Sequence, residues 1–260
     1  MASAGAALYN AGFHGQAREV RRLLSGGADF NHVDEQGVTP LMAASQRGHV
    51  EVVDMLLAAE ANANAAGDDG FTALYFASLK GHHVIVQRLL ASGADFHAVN
   101  DQGFTSMMIA SQEGHAKVVQ CLLSAGSKVD AATPNGATAL YLASEKGQAK
   151  VVKTLLSAGA AVNAATTDGT TSLTMAAQNG HPDIVELLLT HGAEVNHTFK
   201  NDQGHTTTAA TWALAKGHLP CLRLLFKAGA DLTIGSPSTF EYATGMSTSR
   251  VEYQLIVMNK

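Results

Sequence analysis

Twelve histidines, two cysteines and many serines and aspartates are the residues of this chain that could do chemistry. Histidine grouped with cysteine or carboxylate holds metal ions, and histidine beside a serine or cysteine nucleophile drives acyl transfer. His82-His83, and His191 with His197, come nearest to a metal-ligand pair, but no cysteine partner and no H-E-x-x-H frame accompanies them. The phosphate-cradling G-x-x-x-x-G-K-[ST], the nucleophile elbow G-x-S-x-G and the dinucleotide pattern G-x-G-x-x-G are absent. Asn196 heads the glycosylation pattern "NHT", which is idle without a secretory signal. Most of the histidines, serines and aspartates instead recur in register with one another. A catalytic centre should break such a period at one place, so no enzyme, no cofactor and no metal are expected.

The elements that position these residues follow from the glycines. Gly15, Gly48, Gly81, Gly114, Gly147 and Gly180 stand 33 residues apart and Gly217 follows after 37, with His49, His82, His115, His181 and His218 behind five of the seven. Beyond the glycine come Val52, Val53, Leu56 and Leu57 at a 3.6-residue period, repeated as Ile85, Val86, Leu89, Leu90 and again in each later copy. Each unit therefore reads as a turn, a short helix, a Gly-His break and a longer helix. Such a pair cannot bury its apolar face alone, so neighbours must stack into one core. Adjacent helices pack about 8–10 Å apart, which leaves the Gly-His histidines too sparse to share an ion and predicts a structural role at the helix start. Cys221 takes an Ile/Val core position and Cys121 a boundary one, roughly three repeats away and beyond disulfide reach.

The short helices open with "TPLMAA", "TALYFA", "TSMMIA", "TALYLA" and "TSLTMA", and the second halves read "GHVEVVDMLLAAEANANA" or "GHPDIVELLLTHGAEVNH". Over about residues 8–235 the chain resembles the ankyrin repeat family, whose 33-residue period and T-P-L-H-x-A signature these segments follow. The resemblance implies an all-α solenoid of stacked helix-turn-helix units with β-hairpin-like turns, about seven repeats plus a degenerate C-terminal cap. As a single domain over 1–260 it divides into an N-terminal capping repeat at 1–33, full repeats at 34–66, 67–99, 100–132, 133–165 and 166–198, a repeat with insertions at 199–235 and the cap at 236–260. The family's histidine after Thr-Pro-Leu is replaced by Met42, Tyr75, Met108, Tyr141 and Thr174, which puts its hydrogen bond in doubt. Glu60 holds the slot of Gly27, Gly93, Gly126, Gly159, Gly192 and Gly229, where a left-handed backbone is expected. Trp212 falls in register with Leu142 and Met175 and is expected in the core. The insertions before Gly217 are expected at a turn tip and ahead of a first helix. Glu19 stands where later units have Val or Ile, as suits a cap, and the run Leu255–Met258 is read as packing on the preceding unit, as a contact or as a truncated continuation of the array.

Function in such an array must come from the surface it repeats. Turn tips and the exposed flank of the first helices should line up as an inward-curving wall, and the resemblance implies a protein partner on that concave surface. The candidate partner-binding residues flank the turn glycine (Gln36, Val38, Asp69, Phe71, Gln102, Phe104) or precede the break (Gln46, Arg47, Leu79, Lys80, Gln112, Glu113, Lys146, Gln178, Asn179). Phe71 and Phe104 lie one unit apart on one row with Val38 and Leu79 near, an apolar strip of the kind binding hot spots favour; the alternative is that each ring only covers its own turn.

Composition agrees. A net charge of −5, a pI near 6.2 and no basic run longer than Arg21-Arg22 argue against nucleic acid. No stretch approaches a spanning helix, the first cation is Arg18, and two cysteines make no disulfide framework, so no membrane and an intracellular place, cytoplasmic or nuclear, are expected. The leading expectation is a non-enzymatic adaptor, inhibitor or recognition subunit, a monomer unless it is part of a larger complex. A fixed structural subunit, or a substrate for hydroxylation at Asn163 or Asn196 as the resemblance implies, are the alternatives.

Overall fold

The computed structural model describes residues 3–200, 204 and 206–234; the proposed cap and the run Leu255–Met258 lie outside them, as does His205. The chain divides into two compact units, Met1–Pro134 and Asn135–Lys260.

In the first unit, α1 (Ala4–Phe13), α3 (Pro40–Arg47), α5 (Ala73–Leu79) and α7 (Ser106–Gln112) are the first helices, short in all but α1, and α2 (Ala17–Ser25), α4 (Val50–Ala58), α6 (His83–Ala91) and α8 (Ala116–Ser124) the second ones. Within the unit each first helix packs on its own second helix and on the first helix of a neighbouring repeat, and second helices stack likewise. The 3.6-period residues form the core: Val52, Val53, Leu56, Ile85, Val86, Leu89, Val118, Val119 and Leu122 are all buried. The second unit repeats the scheme with α9 (Ala139–Glu145), α10 (Ala149–Ser157), α11 (Ser172–Asn179), α12 (Pro182–Thr190), α13 (Ala209–Ala215) and α14 (Leu219–Lys227). Fourteen helices and one two-stranded ribbon among the described residues make a helical repeat solenoid fold in each unit.

Threonine starts the first helices beyond α1. The Oγ1 of Thr39, Thr72, Thr105 and Thr138 accepts from the N3 amide at 3.2 Å in every case, satisfying one of the donors that a helix start leaves unpaired. The missing family histidine is partly replaced at this point. The sulfurs of Met42 and Met108 accept from the Thr39 and Thr105 amides at 3.5 and 3.4 Å, whereas Tyr75 and Tyr141 stay half-buried, the latter's phenol pushed up to about 12 by burial and then by Asp168 and Glu145.

The turns are hairpin-like, with antiparallel bridges Ala66 to Thr72, Val99 to Thr105 and Ala165 to Thr171. The longer turn before α13 closes as the ribbon β1 (Phe199–Lys200) and β2 (Thr206–Thr207), pairing Phe199 with Thr207. Trp212 is half-buried and not a core residue, with the Lys216 ammonium 5.6 Å from its ring centroid; in the same register Phe76 and Met175 are half-buried too, whereas Ala43, Ile109 and Leu142 are buried, so the position covers a compact side chain and leaves a longer one partly exposed. Cys221 is fully buried and its thiol is pushed up to about 11 by burial, which keeps it protonated and inert. Glu19 turns outward to Arg22, whose Nε donates to it at 2.8 Å.

Glu60 stands at φ 65°, the one non-glycine residue with positive φ among the described residues, while its six glycine counterparts lie between 77° and 97°. A side chain there is strained against the following carbonyl. Glu60→Gly is expected to raise the unfolding free energy by about 0.5–1 kcal/mol, the left-handed penalty less the entropy glycine adds to the unfolded chain. Thermal and urea melts measure it, and an unchanged or lower midpoint contradicts the strain.

Candidate functional site

The turn tips of the first unit are held in line by their own polar atoms. Asp34 Oδ1 accepts from the Gln36 and Val38 amides at 2.9 Å each, and Asn100 Oδ1 accepts from Gln102 and Phe104 at 3.1 and 2.8 Å, the side-chain turn that Asp and Asn favour. Between repeats the backbone itself pairs: the Asp68 amide donates to Gln36 O and the Asp101 amide to Asp69 O, both at 3.2 Å. Asn64 adds a second lock, donating to Gly93 O at 3.0 Å and accepting from the Asp95 amide at 2.7 Å.

The ends of the first helices are fixed by the histidines. None of His49, His82 and His115 caps its own helix with its side chain. Each ring reaches back 36 residues, and Nε2 donates to the carbonyl of Phe13, Gln46 or Leu79 at 3.1, 3.3 and 3.0 Å. The imidazole lies over the preceding break glycine, which has no side chain to obstruct it. In the second unit His181 does the same to Glu145 O at 3.2 Å. The histidines are therefore structural, as the spacing implies, but they tie repeat to repeat and do not cap helices. Among the described residues no group of three His, Cys, Asp or Glu is placed to hold a metal ion.

Against this frame an open groove of about 650 Å³ runs across the first three repeats. Tyr9 and Phe13 come from α1, Gln36 and Val38 from the first turn, Gln46 from α3, Gly67, Asp68, Asp69 and Phe71 from the second turn, and Phe76 from α5. Phe71 packs against Tyr75 and Phe76, with centroids 4.7 and 5.6 Å away. The Arg47 guanidinium lies 4.0 Å over the Phe13 ring, a cation–π contact. Tyr9 lies beside Asp34, and burial first and then that carboxylate raise the phenol's pKa.

The ankyrin repeats (3 copies) family model matches residues 8–100, 80–166 and 159–236. The chain belongs to the ankyrin repeat family. No curated protein matches it. Ankyrin repeats are generally protein–protein interaction modules, and no helix among the described residues is long and apolar enough to cross a membrane.

Of the residues expected on the partner surface of this ankyrin array, Gln36, Val38, Gln46, Asp69 and Phe71 meet at the groove, with Arg47 joined to it through Phe13. Leu79, Lys80, Gln102, Phe104, Gln112 and Glu113 belong to the later repeats of the first unit; Lys80, Gln102 and Glu113 are exposed, while Phe104 and Leu79 are half-buried. Gln112 donates to the Glu113 carboxylate at 3.2 Å. Lys146, Gln178 and Asn179 lie in the second unit, where Lys146 pairs with Glu145 at 3.5 Å and Asn179 donates to Glu145 O at 3.1 Å. Sequence reasoning missed Tyr9, Phe13 and Phe76. The signal is present, since Phe13-His14 precedes Gly15 as Gln46-Arg47 precedes Gly48, but a capping repeat is expected to turn a polar face outward and not to supply contacts.

Asp34 anchors the groove's first turn and carries a testable signature. Burial pushes its pKa up, but the Val38 and Gln36 amides and the Tyr9 hydroxyl outweigh that, so it lies below the ordinary value. Its charge therefore stabilises the fold above the unfolded-state pKa of about 3.9, and that contribution is lost as pH falls through the lower folded value. Asp34→Asn keeps an oxygen for both amides, as Asn100 does in its own turn, and removes the titration. Urea melts should find the variant less stable than wild type at neutral pH, with the gap closing below pH about 4; a gap that is the same at all pH values contradicts the assignment.

Proposed function

We propose that the chain is a non-enzymatic protein-interaction module, an adaptor, inhibitor or recognition subunit, that seats its partner on the turn-tip and first-helix surface of the Met1–Pro134 unit. The observation that carries this is the aromatic groove. Tyr9 and Phe13 from the first repeat and Phe71 and Phe76 from the third converge on one open concavity with a polar rim, the arrangement of anchor residues and surrounding polar contacts from which interfaces draw most of their energy. Within that unit the row continues through Gln102, Phe104, Gln112 and Glu113; Lys146, Gln178 and Asn179 hold the corresponding positions of the second unit's own repeats.

The second-helix surface offers a partner less, because four of its charges pair between repeats: Arg21 pairs with Glu51 at 3.5 Å and Arg88 with Asp54 at 3.3 Å. Modification at Asn163 or Asn196 is not favoured. Each donates to a glycine carbonyl of the next repeat at 3.1 Å and accepts an amide from it at 2.9 Å, so an enzyme would have to open both bonds.

A photo-crosslinking amino acid at Gln102, on the turn-tip side, should capture a discrete partner in native extract, and one at Gln120, exposed on α8, should not. Capture from Gln120 alone would place the interface on the second helices and end this reading.

A further inference from the structure

The groove is lined by aromatic rings, and the turns along its side carry charge of one sign. The turn segments 33–38, 66–71 and 99–104 contain Asp34, Glu35, Asp68, Asp69 and Asp101 and no lysine or arginine. None of these five carboxylates is in an ion pair among the described residues, in contrast to Glu19, Glu51 and Asp54 on the second helices. Glu35, Asp68, Asp69 and Asp101 are exposed. Their backbone is held by the inter-turn amide bonds, so the carboxylates keep their positions without a counter-charge. Beneath them the ring of Phe13 already holds one guanidinium, that of Arg47, which shows that an aromatic face here is reached by a cation. The faces of Phe71, Phe76 and Tyr9 line the same groove beside Asp68 and Asp69.

We infer that the groove recognises an extended segment of a partner protein through an arginine or lysine side chain. Its cationic head sits over the Phe71–Phe76 rings, beside Asp68 and Asp69. Two physical effects converge on that side chain: attraction to unpaired carboxylates over a low-dielectric wall, and the cation–π pull of the rings. An acidic segment meets repulsion at the same place, and a purely apolar one leaves the rim without a partner. The inference rests on the interaction-module reading and makes it specific.

The test pans a phage-displayed library of random twelve-residue peptides on the full chain, then measures recovered peptides by fluorescence polarisation. Recovered sequences should share an arginine or lysine. Their affinity should fall on going from about 0.05 M to about 0.5 M salt. It should also drop about tenfold or more for Asp68→Asn/Asp69→Asn, checked as folded by its unfolding curve. Recovery of no peptide, of acidic or uncharged peptides, or of basic peptides indifferent to Asp68→Asn/Asp69→Asn overturns the inference. An uncharged peptide lost on Phe71→Ala removes the cation but leaves the interaction surface standing, whereas the crosslinks from Gln102 and Gln120 decide the surface by themselves.

Discussion

Replacing Gly81 by alanine should cost about 2–5 kcal/mol of unfolding free energy, as much as a large cavity in the core, by adding a single methyl group. Two effects add. Gly81 stands at φ 74°, where an L side chain costs about 1–2 kcal/mol. A Cβ there would also lie 2.5 Å from Nδ1 of His115, closer than any real contact, so the ring must leave. With it goes the bond from Nε2 to Leu79 O at 3.0 Å, worth about 0.5–1.5 kcal/mol net, and the carbonyl is left without that donor. His115→Ala alone should cost less, since the glycine keeps its geometry. The double variant Gly81→Ala/His115→Ala should be clearly more stable than the sum of the two single losses predicts, because the clash exists only while both side chains are present. Urea unfolding of the four proteins measures the cycle. Additive losses would show that the ring does not press on the glycine and that the histidine row is incidental to stacking.

That pairing also shows where the sequence was legible and where it was not. The 33-residue period, the alternation of short and long helices and the buried Val/Leu ladder could be read directly, since burial on one face leaves its 3.6-residue mark whatever the neighbours are. Glu60 was legible for a similar reason: six glycines in one register announce a left-handed backbone, and the seventh residue must adopt it. The histidines were harder. Their type and spacing marked them as structural, but a ring that crosses to the carbonyl 36 residues earlier is a tertiary fact, which no local rule of capping supplies. The groove was half legible. Val38 and Phe71 stood out by register, whereas Phe13 and Tyr9 join them only because stacking lays α1 beside α3. Trp212 misled because its register buries Ala43, Ile109 and Leu142 but covers a side chain of its size only in part.

Losing the aromatic anchors should separate binding from folding. Phe71→Ala together with Phe104→Ala is expected to weaken partner binding by a factor of about 30 or more, the loss of about 2 kcal/mol that marks a hot spot. The cost to stability should be smaller. Both rings are half-buried, so neither forfeits a full core side chain, and Phe71 gives up two ring contacts, at 4.7 and 5.6 Å, of about 0.5–1.5 kcal/mol per pair. In a stacked array such a loss stays local to the repeat and its neighbours, so helicity should hold and the midpoint should fall by only a few degrees, roughly. The control is Leu90→Ala, a half-buried residue on α6. It should destabilise the same repeat by removing apolar contact from the second-helix side while leaving the groove intact. If Leu90→Ala weakens binding as much as the aromatic pair at equal loss of stability, the rings serve only to cover their own turns. If binding survives the control and fails in the pair, the rings touch the partner, and the position of Phe71 directly behind a turn glycine is explained: the tight turn lifts the ring out of the stack and lays it along the groove wall.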